Sequence, residues 1–211
     1  MVAFVQNLMQ GVPMLPKPEI LLSVLIPSIP SRIAKLAELM DVLANQADPR
    51  MEVLVLMDNK TRHLGAKRNA LMNMAAGRYL MHCDDDDSVA PAFFTSLLPY
   101  LSSDFDLIAY NASVSLNGSP EFIVRTQLGA ECEQPKHLPG GRFSDIVRPP
   151  WHWSTWRSDF ARQFKFPAHY DGAEDWFFLK QALPAVQRWH KIEETLFIHR
   201  YNHVSSEFGG K

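Results

Sequence analysis

Four aspartates in succession, Asp84 to Asp87, are the densest run of chemistry in the chain. Adjacent carboxylates repel one another and raise their own pKa values, a conflict that a divalent cation relieves. An all-oxygen ligand set suits Mn²⁺ or Mg²⁺, with substrate phosphates filling further positions. The run follows the short apolar stretch Tyr79 to Cys83 and precedes Pro91. In extended backbone successive side chains alternate in direction. Asp84 and Asp86 then face one side, Asp85 and Asp87 the other. One pair serves ligand and metal. The other, expected to be Asp85 and Asp87, braces the loop and tolerates change better.

A second acidic pair, Glu174-Asp175, opens an expected helix. Acidic residues stabilise that end of a helix through its dipole, and a carboxylate there can also take a proton from a reacting group. Trp151, His152 and Trp153 follow a Pro- and Gly-rich stretch, residues 133–150, that reads as a mobile loop. Such aromatics either pack in a core or stack on a sugar or base. They are the candidate acceptor pocket. Arg157 could support an acidic acceptor there, or simply pair with Asp159.

Positioning these groups requires a sheet. Leu21 to Ile26 and Met51 to Met57 are short apolar runs suited to strands of a parallel sheet, and Tyr79 to Cys83 is a third. Between them, Ser31 caps a helix to about Ala44, with Ile33, Leu36, Leu39, Met40 and Leu43 on one face. A second helix runs from Gly65 to about Ala76 and stops at Gly77. Pro91 opens another, through Tyr100. Strand alternating with helix predicts an α/β fold with a mostly parallel central sheet covered on both faces. Ligands then bind at the carboxyl ends of the strands, where the aspartates stand. Farther on, Asp106 to Leu116 and Glu121 to Thr126 form a hairpin about Asn117-Gly118. A short helix is expected near Ser158, and a last strand near Thr195 to Tyr201.

The 211 residues carry a formal net charge of −2, with 46% hydrophobic and 21% charged residues. That suits one globular domain and gives no global basic field for nucleic acid. A modified-base acceptor stays open. Cys83 and Cys132 share no CxxC spacing and read as free thiols. The N-terminus lacks early Lys or Arg, and no run approaches the roughly 18 apolar residues of a membrane span. The expected location is the cytoplasm.

The segments SVLIPS, EVLVLMD and GAKRNALMNMAAGRYLMHCDDDDSVAP, in that order, resemble the family 2 glycosyltransferases of GT-A fold. The likeness covers residues 21 to about 98, resumes at Gly172 to Asp175, and is fainter from Leu196 to Ser206. It implies one GT-A domain over 1–211, of the short single-domain bacterial or phage type. A nucleotide-sugar half would occupy about 20–100, and an acceptor half with a small antiparallel hairpin about 101–211. It implies metal-dependent, inverting transfer of a sugar from a nucleotide-diphosphate sugar, a UDP-sugar first, to an acceptor hydroxyl. Pro27 and Ser28 would line the nucleotide pocket and Asp58 contact the base. Arg68 would lie near base or phosphates, and Asp84 against the ribose side. Asp85 falls in the same nucleotide-sugar set. Asp86 would bind the metal and Asp175 act as base, though Glu174 and Asp175 could exchange roles. Arg200 and His203 would reach the pyrophosphate or metal.

Two departures stand out. Met57 occupies the place of a second acidic residue before Asp58, and IHRYNHVSS fits only loosely. Two other functions are compatible with parts of the chain. A sugar nucleotidyltransferase needs a Gly-rich phosphate loop after the first strand, where Pro27-Ser28-Ile29-Pro30 stands instead. A non-catalytic nucleotide-sugar-binding module would not need Asp84, Asp86 and Asp175 together.

Overall fold

The computed structural model describes residues 18–169 and 172–202. The chain alternates strand and helix at first: β1 (Leu22–Ser28), α1 (Ile33–Ala44), β2 (Met51–Met57), α2 (Leu64–Met74) and β3 (Tyr79–His82). After β4 (Ser88–Val89) and α3 (Phe93–Leu97) come β5 (Leu107–Leu116) and β6 (Phe122–Thr126). A two-stranded ribbon, β7 (His137–Leu138) with β8 (Arg142–Phe143), precedes β9 (Ile146–Arg148). The chain then passes through β10 (Thr155–Arg157), α4 (Ser158–Ala161), α5 (Glu174–Ala182) and the long β11 (Trp189–Tyr201).

One nine-stranded sheet takes strands from both halves, in the order β2-β1-β3-β10-β5-β11-β4, with β6 on β5 and β9 on β6. The long strands run parallel: β1 with β2 and β3, and β5 with β11. The short β10 is antiparallel to both β3 and β5. β5 changes neighbour midway. Its start, at Leu107 and Ile108, pairs with β10, and Ala112 to Val114 pair with β6. The sheet therefore splays open beyond the ends of β3 and β10.

Alternation in β1 sets the two core layers. Val24 and Ile26 pack with Leu36, Leu39 and Leu43 of α1 and with Phe93 and Leu97 of α3. Leu25 packs on the opposite face with Leu71 and Met72 of α2, Trp156, Phe160 of α4, and Phe178 and Leu179 of α5. Helices thus cover both faces, as the strand–helix alternation predicts.

Several local expectations are corrected. A 3₁₀ turn, Pro30–Arg32, precedes α1, so Ser31 lies inside it and no side chain caps the helix. Ile33 is 57% exposed and leaves the apolar face. α2 ends at Met74 with Ala75 extended, and Gly77 is not its left-handed cap. Gly77 is needed for close approach, because a Cβ there would lie 2.6 Å from the Ser23 nitrogen. The helix after Pro91 is shorter than expected: it begins at Phe93 and gives way to a 3₁₀ turn at Leu98–Tyr100, where Pro99 offers no N–H. Residues 133–150 hold β7, β8 and β9 rather than a bare loop. β2 is the sheet edge and is only half-buried. Asn117 and Gly118 do turn the hairpin, both with positive φ (51° and 75°), as the Asn-Gly signal requires.

Candidate functional site

The aspartates leave β3 as a turn, not as extended chain: the Asp87 nitrogen donates to the Asp84 carbonyl at 3.1 Å. A turn abolishes the two-residue alternation, and adjacent Asp85 and Asp86 share Arg32. Asp84 accepts from Arg68 Nη2 at 2.8 Å. Asp85 accepts from Ser28 Oγ at 2.7 Å and Arg32 Nη1 at 2.8 Å. Asp86 lies 3.4 Å from Arg32 Nη2 and 3.7 Å from Lys35 Nζ. Asp87 holds His199 Nδ1 at 2.9 Å and accepts from the Arg200 nitrogen at 3.0 Å. Asp85 and Asp87, expected to tolerate change, are 1% and 3% exposed. Their partners make them the braces of the loop, so that tolerance is not expected of them.

Arg68 links this loop to the second acidic pair. It is 1% exposed, and its Nε donates to Glu174 at 3.3 Å while its Nη2 holds Asp84. α2 carries it inward because Gly65 lets the helix start press on the chain at 166–167. A Cβ at Gly65 would fall 2.0 Å from the Pro167 carbonyl oxygen. Asn69, beside Arg68, does not reach the site; its amide exchanges two hydrogen bonds with the Phe166 backbone. Burial would raise the Asp84 carboxyl, but the Arg68 guanidinium holds it below its usual value. Burial lifts Glu174, with Asp175 adding to it against the pull of Arg68.

Asp175 has the opposite fate. Burial works to raise it, yet the hydrogen bond and charge of His152, with Arg68 behind, hold it well below the carboxylate range. His152 Nδ1 is 3.1 Å from Asp175 Oδ2, and Asp175 Oδ1 accepts from the Trp176 nitrogen at 2.7 Å. The other ring nitrogen of His152 lies 3.8 Å from Asp84 Oδ2 and has no hydrogen-bond partner among the described residues. His152 therefore stands between the aspartate loop and Asp175. Two neighbouring carboxyls are thus pushed in opposite directions, Glu174 up by burial and Asp175 down by His152 and Arg68, an arrangement that suits them to different tasks.

A cleft of about 640 Å³ opens on Asp86 and Asp87 with Lys35, Glu121 and Arg200, and two others meet at Asp84. A smaller one of about 140 Å³ is lined by Pro27, Ser28, Arg32, Asp84 to Asp86, His199 and Arg200. A larger one of about 470 Å³ takes Arg68, Asp84, Trp151, His152, Trp153, Glu174 and Asp175. Trp153 is 4% exposed and stacks on Phe197; Trp151 stacks on Trp176. The sequence-selected groups thus converge, with three qualifications. Asp58 is taken by Lys67 Nζ at 2.8 Å and Thr61 Oγ1 at 3.1 Å, and does not line the smaller cleft. The same Lys67 ammonium donates to the Ser28 carbonyl, tying the ends of β1 and β2. Arg157 is engaged by Asp106 and Asp159. His203 lies outside the described residues.

Sequence reasoning missed Lys67, Arg32 and His199. His199 lines both clefts, and no sequence signal distinguished it from His203. Burial lowers its pKa, but Asp87, helped by Asp84 and Asp86, outweighs burial and raises it to about 9. A folded-state value above the ordinary 6.5 means the imidazolium stabilises the fold fully below about pH 6.5, and this is lost as pH rises through about 9. The thermal midpoint is therefore expected to decline over that window, and the slope to flatten in H199Q. An equal slope in both proteins would show that His199 is not its source.

Among the described residues, no three His, Cys, Asp or Glu side chains converge as a ready-made metal cage. The donor set nonetheless fits a cation bound chiefly by phosphates. Mg²⁺ and similar ions take one or two carboxylates plus substrate oxygens. Asp86 is the carboxylate with unmet demand for positive charge: burial first, then Asp87, Asp84 and Asp85, push it up to about 6 despite Arg32.

A strand-order reversal about β1, an acidic turn after β3 and a carboxylate pair at the mouth of α5 belong to an α/β domain of the GT-A fold. The chain belongs to glycosyl transferase family 2, whose family model matches residues 31–183. No curated protein matches the sequence. Among solved structures, S. aureus TarS 1-349 in complex with UDP-GlcNAc is similar at 15% identity and a TM-score of 0.61, covering 89% of this chain and 61% of that one. The same protein in complex with UDP is similar at 17% identity and a TM-score of 0.56, covering 86% and 60%. The chain spans about three-fifths of the length of these structures.

Proposed function

We propose that this protein transfers a sugar, with inversion, from a nucleoside-diphosphate sugar to an acceptor hydroxyl, aided by Mn²⁺ or Mg²⁺. The observation that carries this reading is the convergence of the Asp84–Asp86 turn, Arg68 and the Glu174-Asp175 pair on two adjoining clefts. A uridine donor is favoured because the similar TarS structures hold UDP-GlcNAc and UDP. The nucleotide occupies the smaller cleft, against Pro27, Ser28 and Asp85, with Asp84 toward the ribose. The sugar and acceptor meet in the larger one, against Trp151, His152 and Trp153.

Asp86 would hold the cation, which supplies charge neutralisation for the departing diphosphate. His199 and Arg200 add positive charge on the same side. Arg68, locked between Asp84 and Glu174, orients both carboxylates. Asp175 accepts the hydroxyl proton as the acceptor oxygen bonds to C1 and the C1–O bond to the diphosphate breaks. Its low pKa suits a late transfer, because a hydroxyl becomes strongly acidic only once its oxygen has begun to bond. One base opposite the leaving group gives inversion. Cys83 and Cys132 are free thiols, in keeping with a cytoplasmic setting. No helix among the described residues is long and apolar enough to cross a membrane.

The test is a thermal-shift screen of nucleotide sugars with and without Mn²⁺. A UDP-sugar should raise Tm, because a ligand of the folded state stabilises by mass action, and Mn²⁺ should enlarge the rise. D86N should lose that Mn²⁺-dependent increment while keeping its metal-free response. An increment of wild-type size in D86N would remove Asp86 from the metal site. Binding without turnover in any acceptor screen would favour the non-catalytic module.

A further inference from the structure

One cation in the larger cleft is not consumed by the machinery above. Arg148, in β9, lines the same cavity as Asp175 and Glu174. Its guanidinium carbon lies 4.2 Å from the centre of the Trp151 ring, and its Nε donates to Cys132 Sγ at 3.0 Å. Among the described residues it has no carboxylate partner. The contrast with its neighbours is sharp: Arg68 holds two carboxylates, and Arg32 two more.

The surroundings suit a ring-bearing ligand. Val114, Phe122, Val124 and Ile146 of the splayed strands floor the cavity. Trp151 also stacks on Trp176. The Trp151 face and the Cys132 thiol fix the plane of the Arg148 fork, and with Nε used, the two Nη groups remain to donate. A planar fork of fixed orientation is the geometry that carboxylates and phosphates accept from two donors at once. The cavity also presents Asp84, Glu174 and Asp175, whose charge is met in part by Arg68, His152 and His199, and Arg148 is the cation there that no carboxylate among the described residues engages.

We infer that Arg148 on Trp151 is an acceptor subsite for a negatively charged group, so that the acceptor is a sugar bearing a phosphate or a carboxylate. This rests on the glycosyl-transfer reading for the word acceptor, but the anion seat itself does not depend on it. Simple cation–π packing of a surface arginine would leave the protein indifferent to ligand charge.

The experiment titrates the full chain, saturated with UDP, by tryptophan fluorescence with three probes: glucose, glucuronate and glucose 6-phosphate. At low salt the anionic probes should bind at least about tenfold tighter than glucose, as a charge-assisted fork implies, and the advantage should shrink with added NaCl. R148M should cut the advantage to about twofold or less while leaving UDP affinity unchanged. Should R148M fail to fold, R148K, which keeps the charge but loses the fork, should reduce it at least about threefold. The arm with the larger Arg148-dependent gain separates phosphate from carboxylate. Equal binding of all three probes by the wild type, or an advantage that survives in R148M, would overturn the inference. Loss of UDP binding in the wild type with the anion preference intact would instead sink the transfer reading alone.

Discussion

D175N is expected to lower the rate of sugar transfer by roughly 10²–10⁴-fold, the range for removing a positioned general base. UDP binding should stay near the wild-type value, while Tm should fall, because the ionised carboxylate that His152 Nδ1 meets at 3.1 Å is lost. The amide keeps the size of the carboxylate and can still accept from the Trp176 nitrogen, which now meets Asp175 Oδ1 at 2.7 Å. What it loses is a site for the proton and the negative charge beside His152. The effect should fall on kcat, because Asp175 lies in the acceptor cavity and not in the smaller nucleotide cleft. E174Q should behave differently. Glu174 is 4% exposed and bonded to Arg68, so its loss should loosen the site without erasing transfer. If D175N kept most of the transfer rate with the fold intact, Asp175 would not be the base. If E174Q were the more damaged of the two, the roles would be reversed.

R68M should be the most destabilising single change in the site. Arg68 is 1% exposed and shared by Asp84 and Glu174. Removing it strands two carboxylates in a buried place, and breaking one partner out of a buried ionic group costs about 3–5 kcal/mol. For a chain of this size that is about 6–20 °C in Tm. Adding E174Q to R68M removes one of the stranded charges and should recover part of the loss, a coupling that distant sites do not show. A wild-type Tm for R68M would mean that solvent or a counter-cation already compensates the pair. Because Arg68 also spans the two clefts' carboxylates, R68M should weaken both UDP binding and transfer, unlike D175N.

Much of the scaffold was legible from residue patterns. The apolar run at β1 and the alternation of strand with helix predicted the layered α/β sheet, because burial on both faces demands uninterrupted apolar residues. Asn117-Gly118 announced its hairpin because few other residues accept positive φ in succession. What failed locally did so for stated reasons. Ser31 looked like a helix cap but sits in a 3₁₀ turn set by Pro30. Gly77 looked like a helix stop but serves a close contact with Ser23 across the sheet, which no local rule can see.

The aspartate run shows the same division at the site. Its composition and its place after a buried strand identified a cation-seeking acidic loop, since four adjacent carboxylates cannot all remain charged without help. How the four divide follows from a turn closed by Asp87 N to Asp84 O, which replaces the expected alternation and leaves adjacent Asp85 and Asp86 sharing Arg32. The partners came from afar: Arg32 and Ser28 for Asp85, Arg68 for Asp84, and His199, 112 residues on, for Asp87. Residue types and their local spacing fix which chemical groups the chain has and roughly where the strands end. Only the tertiary structure decided which carboxylate each cation neutralises, because that depends on distances between segments that local propensity does not encode.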